Sequence, residues 1–248
     1  MIIASELIVF LPGISYLAVG LYLLRKASVT NGRAEFYLGL AFVFNGLSFA
    51  FSEILFVIGA NVLLDEFSYI GRIWAAACSV TIAIFTWRVF RSNARWAWRL
   101  VCVDVALVSV GLALSAWEGD WEGYSPLTYK GFWLDWVGGV APFVWLSVES
   151  LRQYALARRR VSLGLADPII CNRYLLIGLY ATLASITYFI YVPMYITYEL
   201  YGEWSLAMDL ALGVIEVVSV IALSVSFAAP AFYRRWIGGT RGETPQTQ

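Results

Sequence analysis

Seven stretches of the chain run for about 20 residues or more with few charges, the length a helix needs to cross a bilayer core. They cover roughly 4–25, 35–60, 67–90, 97–116, 132–156, 169–198 and 204–233. Short polar segments separate them, so neighbours in sequence are expected to be antiparallel neighbours in space. The pattern predicts an all-α membrane protein, a single seven-transmembrane helix bundle over 1–236, with a disordered polar tail at 237–248. The sixth and seventh runs are long enough to tilt or project from the bilayer. The opening MIIASELIVFLPG has no basic n-region and no small-residue cleavage site, so it reads as a first retained span.

Polar residues inside these runs recur at helical spacing. Arg72, Ala76, Ser79, Ala83 and Thr86 share one face of the third span. Asp135, Gly138, Pro142, Trp145 and Glu149 share one face of the fifth. Asn45, Ser48 and Ser52 do so in the second, with Glu53 beside them, and Asp209, Gly213 and Glu216 in the seventh. Tyr188, Tyr191, Tyr195 and Tyr198 form a phenolic stripe around Pro193, which is expected to kink the sixth helix. The Gly138-Gly139 pair with Pro142 is a candidate break in the fifth. Small residues on such faces also let helices approach closely, so much of each stripe needs no function.

Charges inside a span cost about 2.5–3.5 kcal/mol each on insertion and are expected to face the bundle interior. By depth they fall into two groups. Arg72 with Glu53, Asp135 and Asp209 forms an outer group that reads either as structural ion pairing or as a ligand or ion pathway, to which Trp145, Tyr188, Tyr191 and Tyr195 add aromatic lining. Asp104, Glu149, Arg173, Asn172 and Arg88 form a cytoplasmic ion-pair cluster, in which Arg173 pairs with Glu149 or Asp104. Glu216 sits at the centre of the seventh span, where a carboxyl is expected to be neutral and to donate a hydrogen bond or exchange a proton.

Charge also sets orientation. Of the 17 basic residues, all but Arg72 and Lys130 flank the first, third and fifth loops or follow the last span. The opposite loops carry Asp65, Glu66, Glu118, Asp120, Glu122, Glu199 and Glu203. The N-terminus is therefore expected outside and the C-terminus in the cytoplasm, in a bacterial inner membrane. Trp117, Trp121, Trp133, Trp136 and Trp204 would form an outer aromatic belt, and Trp96, Trp98 and Trp236 an inner one.

Composition narrows the chemistry. The chain is 60% hydrophobic and 14% charged, against about 25% charged in soluble domains. It contains no histidine, so histidine-ligated haem or zinc and a Ser-His dyad are excluded. Cys78, Cys102 and Cys171 fall in apolar runs and read as small buried thiols. Asp209 and Glu216, seven residues apart, would lie about 10 Å apart along a helix, too far for a shared-proton dyad. No cofactor, metal or nucleic-acid partner is expected.

In the segment RRRVSLGLADPIICNRYLLIGLY, Asp167 and Pro168 read as the N-cap and first position of the sixth helix. The three arginines before them are read as leading into a loop. LGLADPIICNRYLLIG resembles a loop-helix element of bacterial seven-span proteins, and the resemblance implies the span layout without an activity. A seven-span bundle is also superficially similar to two larger groups. Retinal proteins carry a Schiff-base lysine in the last helix, but the lysines here are Lys26 and Lys130, so no Schiff-base retinal is expected, although GRIW in the third span looks like an arginine-and-tryptophan pocket. Heptahelical receptors carry an acid-Arg-aromatic triplet and an Asn-Pro-x-x-Tyr element, where this chain has TWRVFR and APAFYRRW.

The function expected is that of a non-enzymatic, receptor-like sensory protein. It would bind a small ligand in the outer half of the bundle and couple to a protein partner on the cytoplasmic face. A proton- or cation-conducting transporter or channel is the alternative, and an accessory subunit of a membrane complex a further one.

Overall fold

The computed structural model describes residues 2–58, 64–121, 123, 125–202, 206–227 and 233. Side chains are placed for 12–52, 67–121, 123, 125–202, 207–208, 210–227 and 233. Among these, regular structure is helical throughout: α1 (Ile2–Thr30), α2 (Arg33–Ile58), α3 (Leu64–Phe90), α4 (Arg95–Glu118), α5 (Lys130–Ser162), α6 (Pro168–Tyr201) and α7 (Leu206–Phe227). Among the described residues, six helices, α2 to α7, are long and apolar enough to cross a membrane. The protein is an integral membrane helix bundle.

The helices pack in a ring in chain order, closed by α1 against α7. α3 touches α2, α4 and α5, and α5 touches α3, α4 and α6, so these two helices hold the bundle together. Close approaches need glycine. A Cβ at Gly20 of α1 would lie 2.9 Å from the Gly39 carbonyl oxygen of α2, and one at Gly39 would lie 3.0 Å from the Gly20 carbonyl oxygen. Gly138 and Gly139 do similar service. α5 is helical through them and through Pro142, so the expected break does not occur. Gly138 instead seats Val108 of α4, and Gly139 seats the Tyr188 ring of α6. α6 runs as one helix with Pro193 inside it.

Helix ends follow local chemistry. The Asp167 side chain accepts a 2.8 Å bond from the Ile169 N–H, and Pro168 opens α6. Gly202, at φ 68°, closes α6 in the left-handed region that glycine reaches without strain. α5 corrects one expectation: Arg158, Arg159 and Arg160 belong to its last turns. Basic side chains suit the negative end of the helix dipole, and charge does not stop a helix that has left the apolar layer. At 33 residues and about 1.5 Å per residue, α5 is about 50 Å long and outreaches a hydrocarbon core of about 30 Å.

The two halves of the bundle differ. The half nearer the Arg-rich end is solid. Leu23, Leu38, Phe42, Phe85, Leu146 and Leu223 there are all within 1% of full burial, and Tyr180 packs edge-on against Phe42 at 5.4 Å. The half nearer the α4–α5 loop holds a cavity of about 240 Å³, and a second of about 120 Å³ lies deeper, reaching Tyr180 of the core. Many hydroxyls in the spans bond to their own helix, as Ser79 to Ala76, Thr86 to Ile82 and Ser219 to Ile215. Those members of the polar stripes are satisfied locally and serve packing.

Candidate functional site

The site grows from Arg72, one turn into the apolar part of α3. Its guanidinium makes three hydrogen bonds: Nη1 to the Asp120 carbonyl at 2.6 Å, Nη2 to Ser115 Oγ at 2.9 Å, and Nη2 to Asp135 Oδ2 at 3.1 Å. The Asp120 carboxylate lies 4.0 Å away. α3, α4, α5 and the α4–α5 loop therefore converge on one cation, with a planar donor set suited to several acceptors.

Asp120 is the residue that sequence reasoning missed. Read only as one of the outer-loop acids, it is 4% exposed. Its Oδ1 accepts the Gly123 N–H at 3.0 Å. Among the described residues its buried Oδ2 accepts no hydrogen bond. The turn folds Gly123, at φ 78°, against the Arg72 guanidinium, where a Cβ would come within 2.7 Å of Nε. The rest of the loop is strapped down. Glu199 of α6 accepts from the Leu127 N–H at 2.8 Å and from the Thr128 hydroxyl. The Trp133 indole donates to the Pro126 carbonyl, and Glu118 accepts from the Gly131 N–H. The Asx turn at Asp-x-x-Gly was the one signal in the sequence that could have pointed to this.

Burial pushes the Asp120 carboxyl above the ordinary carboxylate range, and Glu118 and Glu199 push it the same way. Arg72 and the Gly123 N–H pull it down without reversing the shift. A raised native value means that the folded protein holds the proton more tightly than the unfolded chain does. Its stabilising effect is full below the free-carboxyl value of 3.8 and is lost as pH rises through the raised value. As pH rises above the free-carboxyl value of 3.8, the unfolding midpoint in nanodiscs should fall less steeply in Asp120→Asn than in the native chain. Equal slopes in both proteins would remove Asp120 from this role.

Beneath the loop lies the larger cavity, of about 240 Å³. Arg72, Asp135, Tyr188, Tyr191 and Tyr195 all line it, together with Ser48 and Ser52 of α2. Phe49, Phe132 and Trp136 complete its aromatic wall. Tyr191 and Tyr195 stack at 5.4 Å, and the Trp136 indole donates to the Tyr188 carbonyl at 3.0 Å. The smaller cavity, about 120 Å³, holds Glu216 with Asn45, Thr187 and Ser219. Phe49, Ala75, Tyr188 and Tyr191 line both cavities and form the wall between them.

Other predicted residues sit elsewhere. Trp145 is not in this wall. Ten residues along α5 from Asp135, its ring meets Trp96 of α4 at 6.0 Å, because helical spacing sets a face but not a depth. The side chains of Glu53 and Asp209 lie outside the described residues, as do Trp204, Trp236 and the tail at 237–248. Cys78 and Cys171 are buried, but Cys102 is exposed on α4.

The basic-end cluster does not assemble as expected. Glu149 pairs with Arg91, just beyond α3, at 2.7 Å. Arg173 turns away from both acids. Its Nε donates to the Ser226 carbonyl of α7 at 3.1 Å, and its guanidinium lies 5.4 Å from the Phe227 ring. α3 lies against α5, whereas this face of α6 meets α7, so Arg91 is the arginine that reaches Glu149. Asn172 donates to the Tyr233 hydroxyl. Arg88 is exposed and stacks on Trp87, 4.1 Å from the ring. Asp104 is buried at 6% exposure, and among the described residues neither of its carboxylate oxygens accepts a hydrogen bond.

Among the described residues no group of three or more acidic or cysteine side chains could hold a metal ion. Comparison with protein-family models, with curated proteins and with solved structures finds no match to the chain.

Proposed function

We propose that the protein is a receptor-like sensory membrane protein that binds a small ligand in the cavity around Arg72 and Asp135. The observation that carries this reading is the larger cavity, of about 240 Å³, with an aromatic wall and a few fixed polar groups, roofed by a strapped loop. In this reading the acidic end faces outside and the Arg-rich end faces the cytoplasm of a bacterial inner membrane. A protein partner meets the projecting end of α5, where Arg158–Arg160 lie.

A physical link between the two ends supports the reading. α3 and α5 are tied near both ends, by Arg72 to Asp135 and by Arg91 to Glu149. A ligand that displaces the Asp135 end of α5 also loads the Glu149 end of the same rod. The solid basic half, with Leu146 and Leu223 at 0% exposure, favours a sensor over a continuous pore.

The test is a ligand screen on the protein in nanodiscs, using native mass spectrometry and thermal unfolding with a mixed library of amines, acids and neutral compounds. The expected result is a compound that raises the unfolding midpoint of the native chain but not of Tyr191→Leu. A library with no stabilising compound of any charge would defeat the receptor reading.

The two abutting cavities, ending at Glu216, favour proton or cation conduction as the second reading. Proteoliposome flux that is abolished in Glu216→Gln would establish it in place of the first.

A further inference from the structure

The charge and lining of the larger cavity specify its occupant. Arg72 looks at first like an anion receptor, yet three of its five N–H donors already serve Ser115, Asp135 and the Asp120 carbonyl at 2.6 to 3.1 Å. An incoming carboxylate or phosphate would have to sit beside two acids, Asp120 and Asp135, that already share this guanidinium. Both lie within 4.0 Å of this one cation. Asp135 is the accessible one, with 23% of its side chain exposed. Among the described residues its hydrogen bond to Arg72 goes through Oδ2. Among the described residues its other oxygen accepts no hydrogen bond, which leaves it to a ligand.

The rings of Phe49, Phe132, Trp136, Tyr188, Tyr191 and Tyr195 line the same cavity as that carboxylate. Aromatic faces attract cations through the ring quadrupole, more strongly when water is excluded. A carboxylate in a cavity lined by rings is a site for an ammonium group with an apolar body. A bare divalent ion is a poor fit, since it needs about six to eight oxygen ligands and Arg72 already occupies the space between the two acids. Size points the same way. A volume of about 240 Å³ falls below the roughly 300–1,000 Å³ of drug-sized sites, so the occupant is a small amine.

We infer that the cavity between α2, α3, α5 and α6 binds a small organic ammonium ion, with its charge on Asp135 and its body against the α5 and α6 aromatics. This rests on the receptor reading for the use of the cavity, and it adds the class of ligand.

Three probes of matched shape separate the two claims: 2-phenylethylammonium, 2-phenylethanol and 3-phenylpropanoate, titrated into the protein in nanodiscs with tryptophan fluorescence as the readout. The ammonium ion is expected to bind about tenfold or more tighter than either isostere. Asp135→Asn should erase that preference while keeping the binding of the alcohol. Because Asp135→Asn also disturbs the Arg72 pair, Tyr191→Leu, which leaves that pair in place, provides a second measurement and should weaken the ammonium ion several-fold. Should the alcohol or the acid bind as tightly as the ammonium ion, the ligand class is wrong and the cavity remains a receptor site. Should none of the three bind, the class is again wrong, and the mixed-library screen alone decides the receptor reading.

Discussion

Arg72→Gln is expected to destabilise the bundle by about 3–5 kcal/mol, the usual cost of removing one partner from a buried charge pair. The reason lies in what remains. Asp135 must either hold an unpaired buried charge or take up a proton once its 3.1 Å partner is gone, and Ser115 Oγ, in a fully buried residue, loses the guanidinium donor at 2.9 Å. The Asp120 carbonyl loses its 2.6 Å donor, so the α4–α5 loop loses its tie to α3. Equilibrium unfolding in mixed detergent micelles would measure the loss. A double-mutant cycle with Asp135→Asn should show coupling, with the double variant more stable than the sum of the single losses predicts. A change within about 0.5 kcal/mol, the range of ordinary surface substitutions, would mean that Arg72 does not hold this end together.

Gly111→Val is expected to act on the same site from outside it. A Cβ at Gly111 would lie 2.5 Å from the backbone nitrogen of Asp135 and 2.9 Å from its Cα. No rotamer relieves a clash with main chain, so α4 and α5 must separate, which is over-packing at the upper end of about 1–3 kcal/mol or beyond. The separation also moves the Asp135 carboxylate relative to Arg72, so ligand binding should fall along with stability. Gly178→Ala is the comparison. There the nearest atom is Leu151 Cδ2 at 2.8 Å, the end of a flexible side chain, and the loss should be smaller. Unfolding measurements on both variants check the order, and equal losses would sink the claim that α4–α5 contact positions the site.

The seven helices were legible because each span must be apolar for about 20 residues and interrupted by charge or turn residues. The helix faces were legible too: Arg72, Asp135 and three of the four stripe tyrosines line one cavity. Depth and neighbourhood were not. Trp145 shares the Asp135 face of α5 but lies well down the helix, against Trp96. Glu149 found Arg91 because α3 lies against α5, and nothing in the order of residues states which helices touch. Asp120 escaped periodicity altogether, because a loop has none, and its burial depends on a turn that closes over Arg72.

The three thiols leave the chain with a ready-made reporter. Cys78 and Cys171 are buried, while Cys102 stands exposed on α4, which packs against α3 and α5. A lipid-soluble spin or fluorescent maleimide should therefore attach at Cys102 in preference to the other two. The native protein can then carry a single probe on the helix that supplies Ser115, with no cysteine removed and no residue of the cavity altered.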